Sequence, residues 1–409
     1  MMDEDMDSTV ERCAALLISD DADQVQSAVN LLKSVYASGD GGVDTFATIV
    51  QEIAECQGGS VLWQLLLLTL GQSYAEVLEK GFNHFHSSTL ALALLTSSKV
   101  VVESYLREGF GTDEKENARE ILTRLVRQTV GIARMQFQEN KVSRAFGTLV
   151  IVPSLECLAN FARRSKVFRD AIKECAENGS IFDQYKTLLS AETLAAVSPA
   201  SQTVRVRFHL ASIAVSLAFS ADSQMWAIDM GLLKLLAAIY EATPLRELSK
   251  RSKRHKSPAF RCNKILLRLL DSDATAEKLL AHNALSGFRP HRRKINGAEP
   301  EFVAWAFYQR RFQGEKIPIG TVMSAEDWKL AEQAWNGDLQ VPVMCSWRLC
   351  AAEREPVVGK GFSKCGRCHT ARYCSKEHQK LHWRTHKVHC EANQATAKEG
   401  VSVEPGASN

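Results

Sequence analysis

Three observations predict a mainly α fold with a small, ligand-rich module near its C-terminal end. Through residues 1–283 apolar residues recur at three and four places, as in Ile121, Leu122, Leu125, Val126 and Ile132, and strand-like alternation is scarce. The 409-residue chain is 45% apolar, so a sizeable core is available. Six of the eleven cysteines are crowded between positions 345 and 390, among several histidines.

Within 1–283 a loose repeat returns. It runs from an apolar stretch through a short polar break and an amphipathic helix to Gly and another apolar residue. Copies lie at Leu66–Phe82, Leu94–Phe110, Leu158–Ile181 and Leu217–Leu232, and a last one, Leu269–Leu285, has Asn283 and Ala284 near the glycine position. Gly81, Gly109, Gly179 and Gly231 are expected to close their helices in the left-handed conformation, with the next apolar residue packing back. One helix pair cannot bury its own face, so neighbours must stack. The pattern resembles a degenerate armadillo-like helical solenoid. An irregular helical domain without repeats is the alternative reading.

Two segments interrupt the pattern. Leu245–Pro258 is strongly basic, ends in Ser-Pro and reads as an exposed loop; an import signal or anion patch is the functional alternative. Gly287–Pro300 is turn-rich and reads as a linker. Glu301–Phe312 then forms an aromatic-rich helix (Phe302, Trp305, Phe307, Tyr308, Phe312), and Ser324–Trp335 a second one, capped by Ser324 with Asp327. The expected organisation is a helical armadillo-like region at 1–283, a linker with short helices at 284–340, a zinc module at 341–392 and a disordered tail at 393–409.

The acidic opening, with Asp3, Glu4, Asp5 and Asp7, lacks the charge and apolar run of a signal peptide. The longest apolar stretch, Val61–Leu70, is about half of the roughly 20 residues that span a bilayer. A soluble cytoplasmic or nuclear protein is expected, without membrane contact. In such a compartment thiols stay reduced, so a dense cysteine cluster points to metal. The scattered Cys13, Cys56, Cys157, Cys175 and Cys262 are expected to be buried free thiols.

The clustered ligands fall into four pairs: Cys345 and Cys350, Cys365 and Cys368, Cys374 and His378, His386 and Cys390. Eight soft or borderline donors make two tetrahedral zinc sites, each closed by four protein ligands. Cys365-Gly366-Arg367-Cys368 is a tight knuckle in which Gly366 is expected to ease the turn. The spacing i, i+4 of the last two pairs would put each on one face of a helix over Ser375–Lys387. His369, His382 and His389 compete for the histidine positions, and His382, four places after His378, could substitute for it.

The run Cys365-Gly-Arg-Cys368-His-Thr-Ala-Arg-Tyr373-Cys374-Ser-Lys-Glu-His378-Gln379, followed by Trp383, His386 and Cys390, resembles a MYND-type zinc finger. The resemblance implies two zinc ions in an interleaved arrangement. Cys345, Cys350, Cys374 and His378 would hold one, and Cys365, Cys368, His386 and Cys390 the other. Two departures stand out: four residues separate the first two cysteines where the family has two, and His378 replaces a usual cysteine.

Closed zinc sites supply folding energy and leave no coordination place for catalysis. No Walker loop, GxSxG elbow or HExxH helix is present, and Asn83-His84-Phe85-His86 does not match the methyltransferase SET stretch found in some MYND proteins. No enzyme is expected. Between Cys345 and Cys390 ten Lys/Arg face three Asp/Glu, and zinc with its thiolates leaves a net charge of about +5. That charge invites a nucleic-acid reading, but no long recognition helix offers Arg or Asn to base edges. The resemblance implies protein partners instead, often short proline-rich peptides, which lose little entropy on docking to aromatic grooves. Tyr373 and Trp383 are candidates for core or groove. The combination also resembles fungal armadillo-like MYND proteins, some of which are ubiquitin-ligase cofactors. The expected function is a zinc-binding interaction adaptor, whose finger and helical body each bind a protein partner in a ubiquitin-ligase or transcription setting. A nucleic-acid-binding regulator is the runner-up.

Overall fold

The computed structural model describes residues 2–37, 42–73, 76–77, 82–131, 133, 147–175, 181–196, 200–218, 220–248, 257–299, 304–315, 363–367, 371–387 and 390. It is predominantly helical. The helices are α1 (Met2–Leu17), α2 (Ala22–Ala37), α3 (Gly42–Glu55), α4 (Ser60–Thr69), α5 (Phe82–Leu95), α6 (Lys99–Arg107) and α7 (Glu114–Val126). They continue with α8 (Val152–Arg164), α9 (Lys166–Cys175), α10 (Ile181–Lys186), α11 (Ala191–Ala196), α12 (Ala200–Leu217), α13 (Ala221–Asp229) and α14 (Leu232–Ala242). Then come α15 (Pro258–Leu269), α16 (Asp273–Ala281), α17 (Ala284–Phe288), α18 (Arg292–Ala298), α19 (Ala304–Phe312) and α20 (Lys376–His386). No single described helix is long and apolar enough to cross a membrane.

One row of helices stacks in chain order: α2 on α5, α5 on α8, α8 on α12, α12 on α15 and α15 on α18. Other helices pair beside the row, α7 with α9, α10 with α14 and α13 with α16. Amphipathic helices of this length cannot bury their apolar faces alone, and the stacking merges them into one buried cluster from Val10 to Phe312.

Several helix ends lie inside this core, where their last carbonyls have no intrahelical partner. Amide and guanidinium side chains of neighbouring helices satisfy them. Asn117 Nδ2 donates to Leu106 O (2.8 Å), Gln128 Nε2 to Thr69 O (3.0 Å), Asn160 Nδ2 to Ala93 O (2.9 Å) and Arg124 Nη1 to Leu70 O (2.9 Å). In the last helices Asn263 Nδ2 donates to Ile295 O (3.0 Å) and Arg311 Nε to Leu270 O (2.9 Å).

The glycine expectation divides. Gly231 adopts φ +94° before α14, and Asn283 adopts the same left-handed region (φ 50°) before α17. Leu232 and Ala284 follow them into the core. Gly109 does not lie in that region. It is required for a different reason, because a Cβ there would stand 2.6 Å from Tyr105 O and 2.7 Å from Asn117 Oδ1. Gly81 and Gly179 lie outside the described residues.

Three other expectations are corrected. Most of Gly287–Pro300 is helical, and Phe288, Ile295 and Ala298 belong to the main core, so it is no free linker. The aromatic helix docks there too, with Phe307, Tyr308 and Phe312 buried. Ser257 and Pro258, expected at the exposed end of the basic loop, are buried and start α15: the Ser257 hydroxyl accepts from Phe260 N at 3.1 Å, and proline fits the first turn. Of the scattered cysteines, Cys13, Cys157 and Cys262 are buried, but Cys56 is half-buried and Cys175 exposed. Positions 249–256, the helix at 324–335 and the tail after 390 lie outside the described residues.

Candidate metal centre

Two short strands open the C-terminal module. β1 (Ser363–Lys364) pairs antiparallel with β2 (Arg372–Tyr373), Ser363 opposite Tyr373 and Lys364 opposite Arg372. The pairing closes the loop between them, and Cys365 N donates to Ala371 O at 2.7 Å. Gly366 is not in the left-handed region, and a Cβ there would meet nothing within 4 Å, so the turn does not depend on glycine. Ser375 then caps α20, its hydroxyl accepting from His378 N at 3.1 Å, with Glu377 in the positive first turn.

The chain returns at the far end of α20. Cys365 Sγ, a ring nitrogen of His386 and Cys390 Sγ all lie within 4.8 Å of one another. The two sulfurs are 3.7 Å apart. A disulfide would hold them at about 2.0 Å. Two thiolates on one tetrahedral zinc, each at about 2.3 Å, stand about 3.8 Å apart. The donor set therefore fits zinc. Cys365 and Cys390 are buried, and with Ala371 and Tyr373 they form a small cluster of their own, separate from the main core.

Cys374 and His378 come together elsewhere, with Sγ 2.9 Å from Nδ1. A shared zinc would set that pair about 3.5 Å apart, so metal would open the contact by roughly half an ångström. His382 is engaged differently: its Nδ1 shares a 3.0 Å hydrogen bond with the Tyr373 hydroxyl. Cys345, Cys350, Cys368, His369 and His389 lie outside the described residues.

Neither i, i+4 pair lies wholly on the helix, which corrects the one-face expectation. Cys374 precedes the cap and Cys390 follows the helix end, so each pair straddles one terminus of α20. His378 and His386 are eight residues apart on α20, about 12 Å along the axis. The helix thus separates the Cys374–His378 pair from the cluster of Cys365, His386 and Cys390.

Tyr373 is buried in the module, whereas Trp383 (39% exposed) and Leu381 (49%) reach solvent from α20. His382 stands four residues before His386, a spacing that places the two rings on one face; the bond of His382 to Tyr373 across the turn has no such signal in the sequence.

Residues 348–390 match the family model of the MYND finger. This stretch is a MYND zinc finger. The matched range takes in Cys350 to Cys390 and starts after Cys345. The chain is also similar to Egl nine homolog 1 of Mus musculus, with 38% identity over 63 residues, 14% of this chain and 16% of that protein. The shared stretch is thus a small part of either protein. MYND fingers bind zinc and mediate protein–protein interactions, so this chain carries an interaction module.

Proposed function

We propose that the chain is a non-enzymatic adaptor of the cytoplasm or nucleus, whose zinc finger and helical body each grip a protein partner. One observation carries the reading: α20 returns Cys390 and His386 to Cys365, and leaves Cys374 with His378 at its other end. That crossing matches two interleaved zinc sites, with Cys365, Cys368, His386 and Cys390 on one ion and Cys345, Cys350, Cys374 and His378 on the other. Sites closed by four protein ligands stabilise a fold and leave no place for substrate. The in-order stacking of α2, α5, α8, α12, α15 and α18 supports the armadillo-like reading of the body.

The exposed Trp383 favours a groove for short proline-rich peptides over a core role for this ring. The finger's basic charge is the observation on the side of nucleic acid, and it is second. Affinity capture with the full chain and its His386→Ala variant tests the adaptor role. A set of proteins retained by the parent and lost by the variant supports it. Equal capture by both removes the finger from partner binding. Titration of a proline-rich peptide, followed by tryptophan fluorescence of parent and Trp383→Ala, tests the groove.

A further inference from the structure

The His386 ring is held on three sides. His382 stacks on it, with ring centroids 5.2 Å apart and planes 24° from parallel. Tyr373 meets it edge-on at 6.3 Å and Trp383 edge-on at 5.9 Å. His382 is itself fixed, because its Nδ1 shares a 3.0 Å hydrogen bond with the Tyr373 hydroxyl. Tyr373 is anchored in turn: it is buried and paired with Ser363 across the two strands. A side chain pinned by a strand thus pins a second one, which lies flat against the ring beside Cys365 and Cys390.

We infer that Tyr373 and His382 are positioning residues for the zinc ligand His386, and that through them β2 ties the two ligand groups together. This rests on the reading of His386 as a ligand. A zinc–imidazole bond is directional, so a ring free to swing spends less time with its nitrogen on the metal; groups that fix the ring lower the rate of zinc loss. His382 fixes the plane by stacking, and Tyr373 fixes His382. Tyr373 also precedes Cys374, whose sulfur faces His378, so a shift of β2 at one group is felt at the other.

The test uses the full zinc-loaded chain, a chromogenic chelator in excess and the time course of release. Tyr373→Phe removes only the hydroxyl and should release zinc a few-fold faster. His382→Ala removes stack and bond and should be faster by about tenfold, the lower edge of the range for groups that orient a ligand. His382→Phe keeps a ring to stack and should fall between the parent and His382→Ala. Cobalt substitution gives a second readout, since the d–d bands of the tetrahedral site should shift in His382→Ala while the helical signal of the body stays at the parental level. His386→Ala separates this inference from the reading beneath it. If His386→Ala keeps the parental zinc content, His386 is not a ligand and both fall. If it loses zinc while Tyr373→Phe and His382→Ala release metal within twofold of the parent, only the positioning role is overturned.

Discussion

His378 stands three residues into α20, where Ser375 already takes its backbone N–H and its ring faces Cys374 Sγ. His382 is turned toward Tyr373. If His378 is a ligand, His378→Ala should lower the zinc content of the full chain by one ion relative to the parent, while His378→Cys keeps the parental content, because imidazole and thiolate differ by only about 0.3 Å in metal distance. Elemental analysis of both variants decides; parental zinc content in His378→Ala would move the ligand to His382. In the body, His86 Nδ1 donates to Leu149 O at 2.8 Å and the His291 ring stacks on Tyr240. Burial lowers the pKa of both histidines below the usual imidazole value. The unfolded chain takes up these protons near pH 6.5, the folded chain only at lower pH. Their contribution is therefore whole above about pH 6.5 and is lost as the pH falls below it. The Tm of the body should drop between pH 7 and pH 5.5, with a shallower slope in the double variant His86→Gln, His291→Gln. An unchanged slope would place the acid sensitivity elsewhere.

Helix ends are the next scale. A carbonyl left bare inside a core costs about 1–3 kcal/mol, comparable to a buried hydrogen bond lost outright. Asn160 Nδ2 donates to Ala93 O from the neighbouring helix, and the Thr96 hydroxyl gives that carbonyl a second, longer bond at 3.1 Å. Because Thr96 still serves the carbonyl, Asn160→Ala should lower the stability of the body by about 1 kcal/mol in urea denaturation, against a few tenths for an exposed polar-to-alanine control. A loss no larger than the control would mean that water or a shift of α5 replaces the amide. Gly231 poses a conformational problem instead. Its φ of +94° lies in the left-handed region that a residue with a Cβ adopts at a cost, so Gly231→Ala should cost about 1–2 kcal/mol. The apolar period that defines these helices was readable from sequence, as was the left-handed turn at Gly231. The partners of the end carbonyls were not, since Ala93 and Asn160 are 67 residues apart and meet only through stacking.

Across the whole molecule, the buried cluster runs to Phe312, and its last helices are tied in by polar bonds. Lys264 Nζ lies 3.0 Å from a Glu299 carboxylate oxygen, and Tyr308 OH donates to Asn263 O at 3.1 Å. A chain ended after Ser286, short of Phe288 and the helices beyond, should lose cooperativity in thermal unfolding, because it strips apolar cover from α14, α15 and α16. A chain ended after Glu315 should keep it. Equal melting of the two would show that 287–315 adds nothing to the core. The finger behaves differently because its own buried cluster is only a handful of residues. A strong chelator added to the full chain should remove a minor part of the helical signal and leave the main transition in place. Loss of the whole signal would mean that body and finger fold as one.

The sequence by itself determined the helical character of the body, through apolar residues at three and four places, and the zinc chemistry of the finger, through ligand pairs too dense for chance. Those features are local: a period or a spacing survives whatever the rest of the chain does. Tertiary structure decided what depends on distant partners. It drew Phe288 and Ile295 from an apparent linker into the core, because turn-rich text also fits short helices when a bare apolar face lies nearby. It started α15 at Ser257-Pro258 inside the protein. It brought Cys365 to His386 and Cys390 and left Cys374 with His378, a choice among ligand pairs that spacing cannot make, because it is set by the length of the helix between them. It also set the His382 ring against Tyr373 and His386, contacts that a count of residues between potential ligands does not contain.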